Sequence, residues 1–420
     1  MLKRALYLIA VWFIVTSGAF AADMPTAKPE DAGFSAEKLV ALTAHFQTYV
    51  DDGKLAGLTT LIARRGKVVH FETYGDQDKA AGIETADDTL FRIFSMTKPI
   101  TGTAMMMLWE EGKFKLDDPV SKYLPSFRHQ EVFAGAGEGD LIKTLPAERE
   151  ATIRDLMRHT AGLTYGFFGD TPIDRSYRAS AMFDPKNDLK AMVAELGKQP
   201  LLYQPGDAWV YSLATDVQGR LIEVLSGQSL DKFFGSRIFT PLGMKDTSFQ
   251  VRADQLDRFA EVYGIDKEKG LTAYRGDFYR DFTKEPPFLS GGGGLVSTTA
   301  DYWRFAQMIA NGGALDGVRL LKPETVAMMR RDQLPNGLQG MGGGKLGLGF
   351  GLNFAVVQDI EKNGGHGSVG EYFWGGMANT LFWIDPKEDI VVLLMTNILP
   401  SGIFPLRNDM RKYVYEALVD

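Results

Sequence analysis

Strand-like sequence stands at the two ends of this chain and helix-like sequence between them, which leaves few ways to close a hydrophobic core. Gly57–Ala63 and Lys67–Tyr74 have strand patterns, joined by Arg64-Arg65-Gly66, the chemistry of a hairpin turn. Strand patterns return at Phe350–Val356, Thr380–Ile384 and Ile390–Thr396, the last two linked by the turn-forming Asp385-Pro386-Lys387-Glu388-Asp389. Between these ends the apolar periodicity is helical, at Ile153–Arg158, Leu189–Leu196, Ala214–Leu225 and Leu230–Phe239. Further helices are predicted over Ser35–Asp51, from the capping stretch Ser297-Thr298-Thr299-Ala300-Asp301 to about Ile309, and over Leu406–Leu418. The simplest closure returns the C-terminal strands to the N-terminal hairpin. The expected fold class is therefore α/β plus all-α: a central antiparallel sheet flanked by helices, with a helical domain inserted. The expected boundaries are 22–112 with 288–420 for the sheet domain and 113–287 for the helical one, with a cleft between them.

Residues 1–21 are read as an export signal rather than as part of the fold. Lys3 and Arg4 form a basic start, Ala5–Val15 a short apolar core, and Ala19-Phe20-Ala21 a small-x-small cleavage site. The mature chain is then expected to begin at Ala22, in the periplasm or outside the cell, with an uncleaved anchor as the alternative. No other segment is long and apolar enough to span a bilayer. The absence of cysteine excludes disulfides, thiolate metal sites and a cysteine nucleophile. With 45% apolar residues, the chain can rely on its core instead. The net charge of −7, without a basic block, argues against nucleic acid or an anionic membrane as partner.

Ser-x-x-Lys occurs three times, at Ser35/Lys38, Ser95/Lys98 and Ser229/Lys232, and roughly one copy is expected by chance. Ser35 and Ser229 precede short amphipathic stretches, where a serine caps a helix. Ser95 instead stands between the apolar Leu90-Phe91-Arg92-Ile93-Phe94 and the uncharged run Ile100–Trp109, a helix expected to be buried nearly all round. Pro99 suits its first turn and Gly112 its end. Positions i and i+3 share a helix face, so Lys98 could reach Ser95 and take its proton, activating a weak nucleophile.

Two further segments could serve such a serine. Trp209-Val210-Tyr211-Ser212-Leu213-Ala214 follows a turn and precedes a helix. Tyr211 could relay the proton of Ser95 and later protonate a leaving group, or it could be a core tyrosine. Gly364–Gly376 is dense in glycine beside strand patterns. An edge strand there could aim an N–H at a substrate carbonyl and form an oxyanion hole with the N–H of Ser95, or the segment could be a turn with a bulge. Several rivals fail: no Gly-x-Ser-x-Gly, no phosphate loop at Gly342-Gly343-Gly344-Lys345, no His-Glu-x-x-His. His45, His70, His129, His159 and His366 are scattered, which argues against zinc, and His159 reads as a buried hydrogen-bonding residue.

In this order, Ser-x-x-Lys, Tyr-Ser-x and a glycine-rich strand motif resemble the serine β-lactamase and penicillin-binding superfamily. Within it the chain is most similar to family VIII carboxylesterases, relatives of class C β-lactamases. His159–Leu163, Pro241-Leu242-Gly243-Met244, Gly293–Thr298 and Trp383-Ile384-Asp385-Pro386 share in the likeness. It implies a β-lactamase/transpeptidase-like fold, Ser95 as acylated nucleophile, Lys98 and Tyr211 sharing the base role, and no metal or organic cofactor. Two positions depart from class C enzymes. Leu213 replaces the Asn of Tyr-x-Asn. Trp374-Gly375-Gly376 stands where Lys-Thr-Gly is found, with Met377 then supplying the second oxyanion N–H; His366-Gly367-Ser368 is the competing alignment. Replacing the cation with an indole favours an uncharged substrate group.

The expected activity is a serine carboxylesterase acting on short-chain esters, a small-molecule substrate, with Tyr165, Phe167 and Phe168 in a glycine-rich loop as pocket lining or ordinary core. The alternatives are a cephalosporin-hydrolysing β-lactamase or promiscuous esterase, a D-alanyl-D-alanine peptidase, an acyltransferase, and a catalytically silent binding protein. A silent relative would have no physical need to retain all of Ser95, Lys98 and Tyr211.

Overall fold

The computed structural model describes residues 24–137 and 141–419. The expected export signal, 1–21, lies outside the described residues. Along the chain come helix α1 (Ala36–Asp51), strands β1 (Gly57–Arg64), β2 (Lys67–Asp78) and β3 (Ile83–Glu84), and helices α2 (Thr97–Glu110), α3 (Ala214–Ser226) and α4 (Thr299–Ala310). Strands β4 (Leu348–Phe350), β5 (Ala355–Val357), β6 (Tyr372–Gly375), β7 (Leu381–Asp385) and β8 (Ile390–Thr396) follow, then helix α5 (Leu406–Ala417). The eight strands form one antiparallel sheet in the order β4-β5-β6-β7-β8-β1-β2-β3, so the C-terminal strands do return to the N-terminal hairpin.

Local chemistry accounts for these elements. Arg65 and Gly66 both adopt positive φ (53° and 74°), the mirror-image turn that matches strand twist in a two-residue hairpin. Ser35 caps α1 by accepting the Lys38 N–H, and Thr298 caps α4 by accepting that of Asp301. Ser229 occupies an N-cap position without making the side-chain bond. Strands β1 and β8 are buried at every residue because helices cover both faces. Phe382 meets Tyr302 of α4 on one face, and its neighbour Trp383 meets Tyr415 of α5 on the other.

Three expectations change. The strand pattern Phe350–Val356 is two strands, β4 and β5, folded about Asn353 at φ 64°. The glycine-rich motif is not on an edge strand: β6 lies between β5 and β7. Yet β5 pairs only with Tyr372 and Phe373, so the Trp374–Gly376 end has an open side. The middle of the chain is not purely helical either. It holds the hairpins Glu131–Ala136/Ile142–Pro146 and Tyr263–Asp266/Gly270–Ala273, and Tyr263–Gly264 pairs in parallel with Ile398–Leu399. The hairpin Tyr263–Asp266/Gly270–Ala273, within the segment expected to be helical, is thereby tied to the chain directly after β8.

Helix α2 is buried continuously from Thr97 to Leu108, as its uncharged sequence requires. It runs between the sheet part and α3, so Ser95, at its mouth, faces the boundary of the two parts. Close packing needs Gly102, where a Cβ would lie 2.5 Å from Asn353 Nδ2.

Candidate active site

Ser95 sits in a 3-10 turn, Phe94–Met96, that runs directly into α2. The turn is unusual: Phe94 holds a positive φ of 40°, a conformation a bulky residue adopts only where its surroundings enforce it. The enforcement is visible. Met96 N–H donates to Ile93 O (2.9 Å), and Tyr302 of α4 donates to Met96 O (2.9 Å).

The Ser95 hydroxyl oxygen receives two partners. Tyr211 OH donates to it at 2.7 Å and Lys98 Nζ at 3.2 Å. Lys98 is 1% exposed, and its Nζ also reaches Tyr165 OH (2.8 Å) and Gly292 O (2.6 Å). Tyr211 is held from several sides by rings: Trp209 parallel to it, Tyr165 at 5.0 Å, His159 at 5.1 Å, Trp374 at 5.4 Å and Phe168 at 5.7 Å between centroids. Backbone bonds fix its loop to the histidine loop: Val210 N–H donates to His159 O and Leu213 N–H to Thr164 O.

His159 is a buried residue with one ring bond, Nδ1 to Ser212 Oγ at 3.2 Å. Burial, with Lys98 adding, drives its pKa well below the usual value, so it is a neutral wall of the tyrosine and not a proton acceptor for Ser95. Tyr165, expected as pocket lining or core, is buried with its hydroxyl on Lys98. Burial, Tyr211 and Asp216 push its phenol well above the ordinary range, which keeps it a neutral partner of the lysine. Of the other two aromatics, Phe168 faces the cavity and Phe167 stands one ring behind it, against Phe278.

The cavity beside Ser95 measures about 240 Å³. Tyr211, Phe373, Trp374, Met377, Phe382 and Phe168 give it an apolar wall. All four residues of Trp374–Met377 line it. Gly376 lies so close to the start of the nucleophile's turn that a Cβ would stand 2.6 Å from Ile93 O. Met377 N–H, one residue on, makes no hydrogen bond to another described residue. It is the donor available on this strand end. His366-Gly367-Ser368 is elsewhere: Arg411 donates to His366 O, and Gly367 packs against Glu371 and Arg411 under α5. That motif does not meet Ser95.

Two residues were not anticipated. Asp216, on α3, is a buried carboxylate accepting from Ser290 Oγ (2.6 Å) and Gly292 N–H (3.1 Å). Burial raises its pKa, opposed by Ser290 and Lys98. Its sequence signal was a lone acid within the apolar run after Tyr211. Arg407, at the start of α5, lines the cavity with its guanidinium over the Phe373 ring at 3.3 Å, and its Nη2 has no partner among the described residues. Burial and Arg411 lower its pKa to about 9. Nothing local in the sequence marks Arg407, since the pocket is assembled from segments far apart in the chain.

Comparison with known proteins agrees with this geometry. Residues 42–414 match the family described as Beta-lactamase. Protein Rv1367c of Mycobacterium tuberculosis is 38% identical over 366 residues, covering 85% of this chain and 90% of the relative. Esterase EstB of Burkholderia gladioli is 32% identical over 410 residues, covering 93% and 98%. Among solved structures, EstCE1, described as a hydrolase with promiscuous acyltransferase activity, superposes with a TM-score of 0.74 at 27% identity, covering 90% of this chain and 99% of that one.

Proposed function

The chain belongs to the beta-lactamase family and is a serine hydrolase, and on that footing we propose that it hydrolyses short-chain carboxylic esters through an acyl-enzyme on Ser95. The observation that carries this reading is the Ser95 oxygen with Tyr211 at 2.7 Å and Lys98 at 3.2 Å, beside an apolar cavity walled by Trp374. EstB is named an esterase and aligns over nearly the whole chain.

In the first step the Ser95 oxygen bonds to the ester carbonyl carbon while its proton passes to the Lys98–Tyr211 pair. The carbonyl π electrons move onto oxygen, where the N–H groups of Ser95 and Met377 receive the charge. One such donor is worth about 3 kcal/mol in the transition state. The C–O bond to the alcohol then breaks, and Tyr211, within reach of Ser95, returns the proton to the leaving alkoxide. Water then attacks the acyl carbon as the same pair takes its proton; the bond from that carbon to Ser95 Oγ breaks, the proton passes to Oγ, and the acid is released. A cavity of about 240 Å³, below the usual range for drug-sized ligands, suits a short acyl chain.

One observation favours β-lactam hydrolysis as a second activity. Arg407 brings a guanidinium to the lining of a cavity that is otherwise largely apolar, a positive charge that would attract a substrate carboxylate. The test is direct: p-nitrophenyl acetate, butyrate and octanoate against nitrocefin, with wild type and Ser95→Ala. Ester turnover abolished in Ser95→Ala and falling from butyrate to octanoate is expected. Turnover surviving in Ser95→Ala sinks the nucleophile, and nitrocefin turnover above ester turnover reverses the two readings. Export belongs to the same proposal. An intact mass beginning at Ala22 after expression in a bacterium is the expected result, and retention of residues 1–21 would refute it.

A further inference from the structure

Lys98 Nζ has three neighbours: Ser95 Oγ, Tyr165 OH and Gly292 O. A neutral amine offers one lone pair and two N–H bonds. For the lone pair to face Ser95, both N–H bonds must point elsewhere, and the Tyr165 oxygen and the Gly292 carbonyl are the acceptors at hand. The position of Gly292 O therefore aims the base. Gly292 belongs to the run Gly291–Gly294, backbone with more conformational freedom than any other. Something outside the run must hold it.

Asp216 does so from the opposite part of the molecule. One of its oxygens, Oδ1, accepts both Ser290 Oγ–H (2.6 Å) and Gly292 N–H (3.1 Å). Its Oδ2 lies 2.6 Å from where a Cβ on residue 292 would stand, so the carboxylate is packed against the glycine itself. On the other side, Thr101 of α2 donates to Gly291 O at 2.7 Å. Asp216 is 2% exposed and forms no direct ion pair among the described residues. The charges within electrostatic range are Lys98 and Arg280, and Tyr165 is the titratable neighbour. A buried carboxylate spent on two neutral donors is costly for a merely structural turn, since a neutral side chain could make the same bonds.

We propose that Asp216 is a positioning residue: by gripping Gly292 it aims the Lys98 lone pair at Ser95, and its negative charge, on the far side of that one glycine, steadies the ammonium that forms when Lys98 takes the proton. The inference rests on the Ser95–Lys98 reading above.

The test compares Asp216→Ala, Asp216→Asn, Ser290→Ala and Ser95→Ala in the full mature enzyme, measuring kcat and KM for p-nitrophenyl butyrate across pH. Asp216→Ala is expected to lose about 100-fold in kcat with little change in KM, the cost of misaiming a reacting group. Asp216→Asn keeps an acceptor for both donors and is expected to recover most of that loss. Without the negative charge, the protonated lysine is less favoured. The acid limb of the kcat/KM profile should therefore move to lower pH in Asp216→Asn, a change that a structural role would not produce. Ser290→Ala should fall between wild type and Asp216→Ala. Folded Asp216→Ala with kcat within about threefold of wild type overturns the proposal, as does Asp216→Asn with kcat as low as the alanine variant and an unmoved limb. Should Asp216→Ala fail to fold, wild-type kcat and an unmoved limb in both Asp216→Asn and Ser290→Ala overturn it. Activity surviving in Ser95→Ala would instead overturn the nucleophile, leaving a distinct signature.

Discussion

Gly376 is where the strand end and the nucleophile's turn come closest, and side-chain rotation cannot relieve that contact. A Cβ there would lie 2.2 Å from Thr380 Oγ1, which can swing away, and 2.6 Å from Ile93 O, which cannot. Gly376→Ala must therefore push β6 away from the Phe94–Met96 turn, carrying Met377 N–H with it. A fall of about 100-fold in kcat/KM is expected, measured with a short-chain p-nitrophenyl ester. Activity within about threefold of wild type would mean that this spacing does not matter. Tyr165 gives a gentler case. Tyr165→Phe keeps the ring against Phe167 and Tyr211 but removes the oxygen 2.8 Å from Lys98. One N–H of the lysine loses its acceptor, and kcat is expected to drop on the order of tenfold, mainly without change in KM. An unaltered kcat would place Tyr165 outside the proton network.

The short helix Ile153–Met157 shows how one element carries a loop of the site. Thr152 and Asp155 form a capping box, and Asp155 also pairs with Arg149 (2.6 Å) and Arg158 (2.9 Å) and accepts from Thr160 Oγ1. Two residues past the helix, His159 turns at φ 58° to reach Tyr211. Burial alone would raise the pKa of Asp155, but Arg149, the Thr152 N–H and Arg158 bring it down from 3.8 to about 2. A depressed acid contributes stability that is full above 3.8 and lost as pH falls through about 2, a span worth about 2 kcal/mol. Acid unfolding of Asp155→Asn should lack that component, and at neutral pH the variant should be less stable by about 3 kcal/mol, because two arginines lose their carboxylate. Urea melts at pH 7 and pH 3 check both; equal pH dependence in variant and wild type would refute the assignment. The elements readable in the sequence were those with local chemistry of this kind: α1 with its serine cap, the Arg65-Gly66 hairpin, α4 with its threonine cap. Ser95, Lys98 and Tyr211 were readable because each lies in a contiguous motif beside a strong helix. The hairpin Glu131–Ala136/Ile142–Pro146 was not, since its strands are mostly exposed and show no apolar alternation. Asp216 and Arg407 were not, because their significance lies in what distant segments bring to them. The role of Tyr165 was hidden for the same reason: a tyrosine on a cavity wall and one bonded to a buried lysine look alike in sequence.

At the scale of the whole molecule, α2 belongs to both parts at once. It is buried all round from Thr97 to Leu108, so an apolar face of α2 is laid open if the helical part peels away. A second tie lies beneath it. Gln218 of α3 and Asn353 of the β4–β5 turn exchange amide hydrogen bonds (2.6 and 3.3 Å), Gln218 also donates to Leu156 O, and Asn353 N–H donates to Met157 O. Both amides are buried. Such a pair adds little while complete and costs much when broken, because the survivor is left without water or partner. Gln218→Met keeps the volume and removes every one of its bonds, so a loss of about 1–3 kcal/mol is expected. The informative quantity is where that loss appears. Far-UV circular dichroism reports mostly on helices, and tryptophan emission includes Trp374 and Trp383 in the sheet. If the two parts fold as one unit, both probes and the loss of ester turnover share one urea midpoint in wild type, and all three shift together in Gln218→Met. A dichroism midpoint that falls while the tryptophan midpoint stays would show two units that unfold separately. The cleft holding Ser95 would then be assembled by docking, and its geometry would depend on an interface weaker than either core.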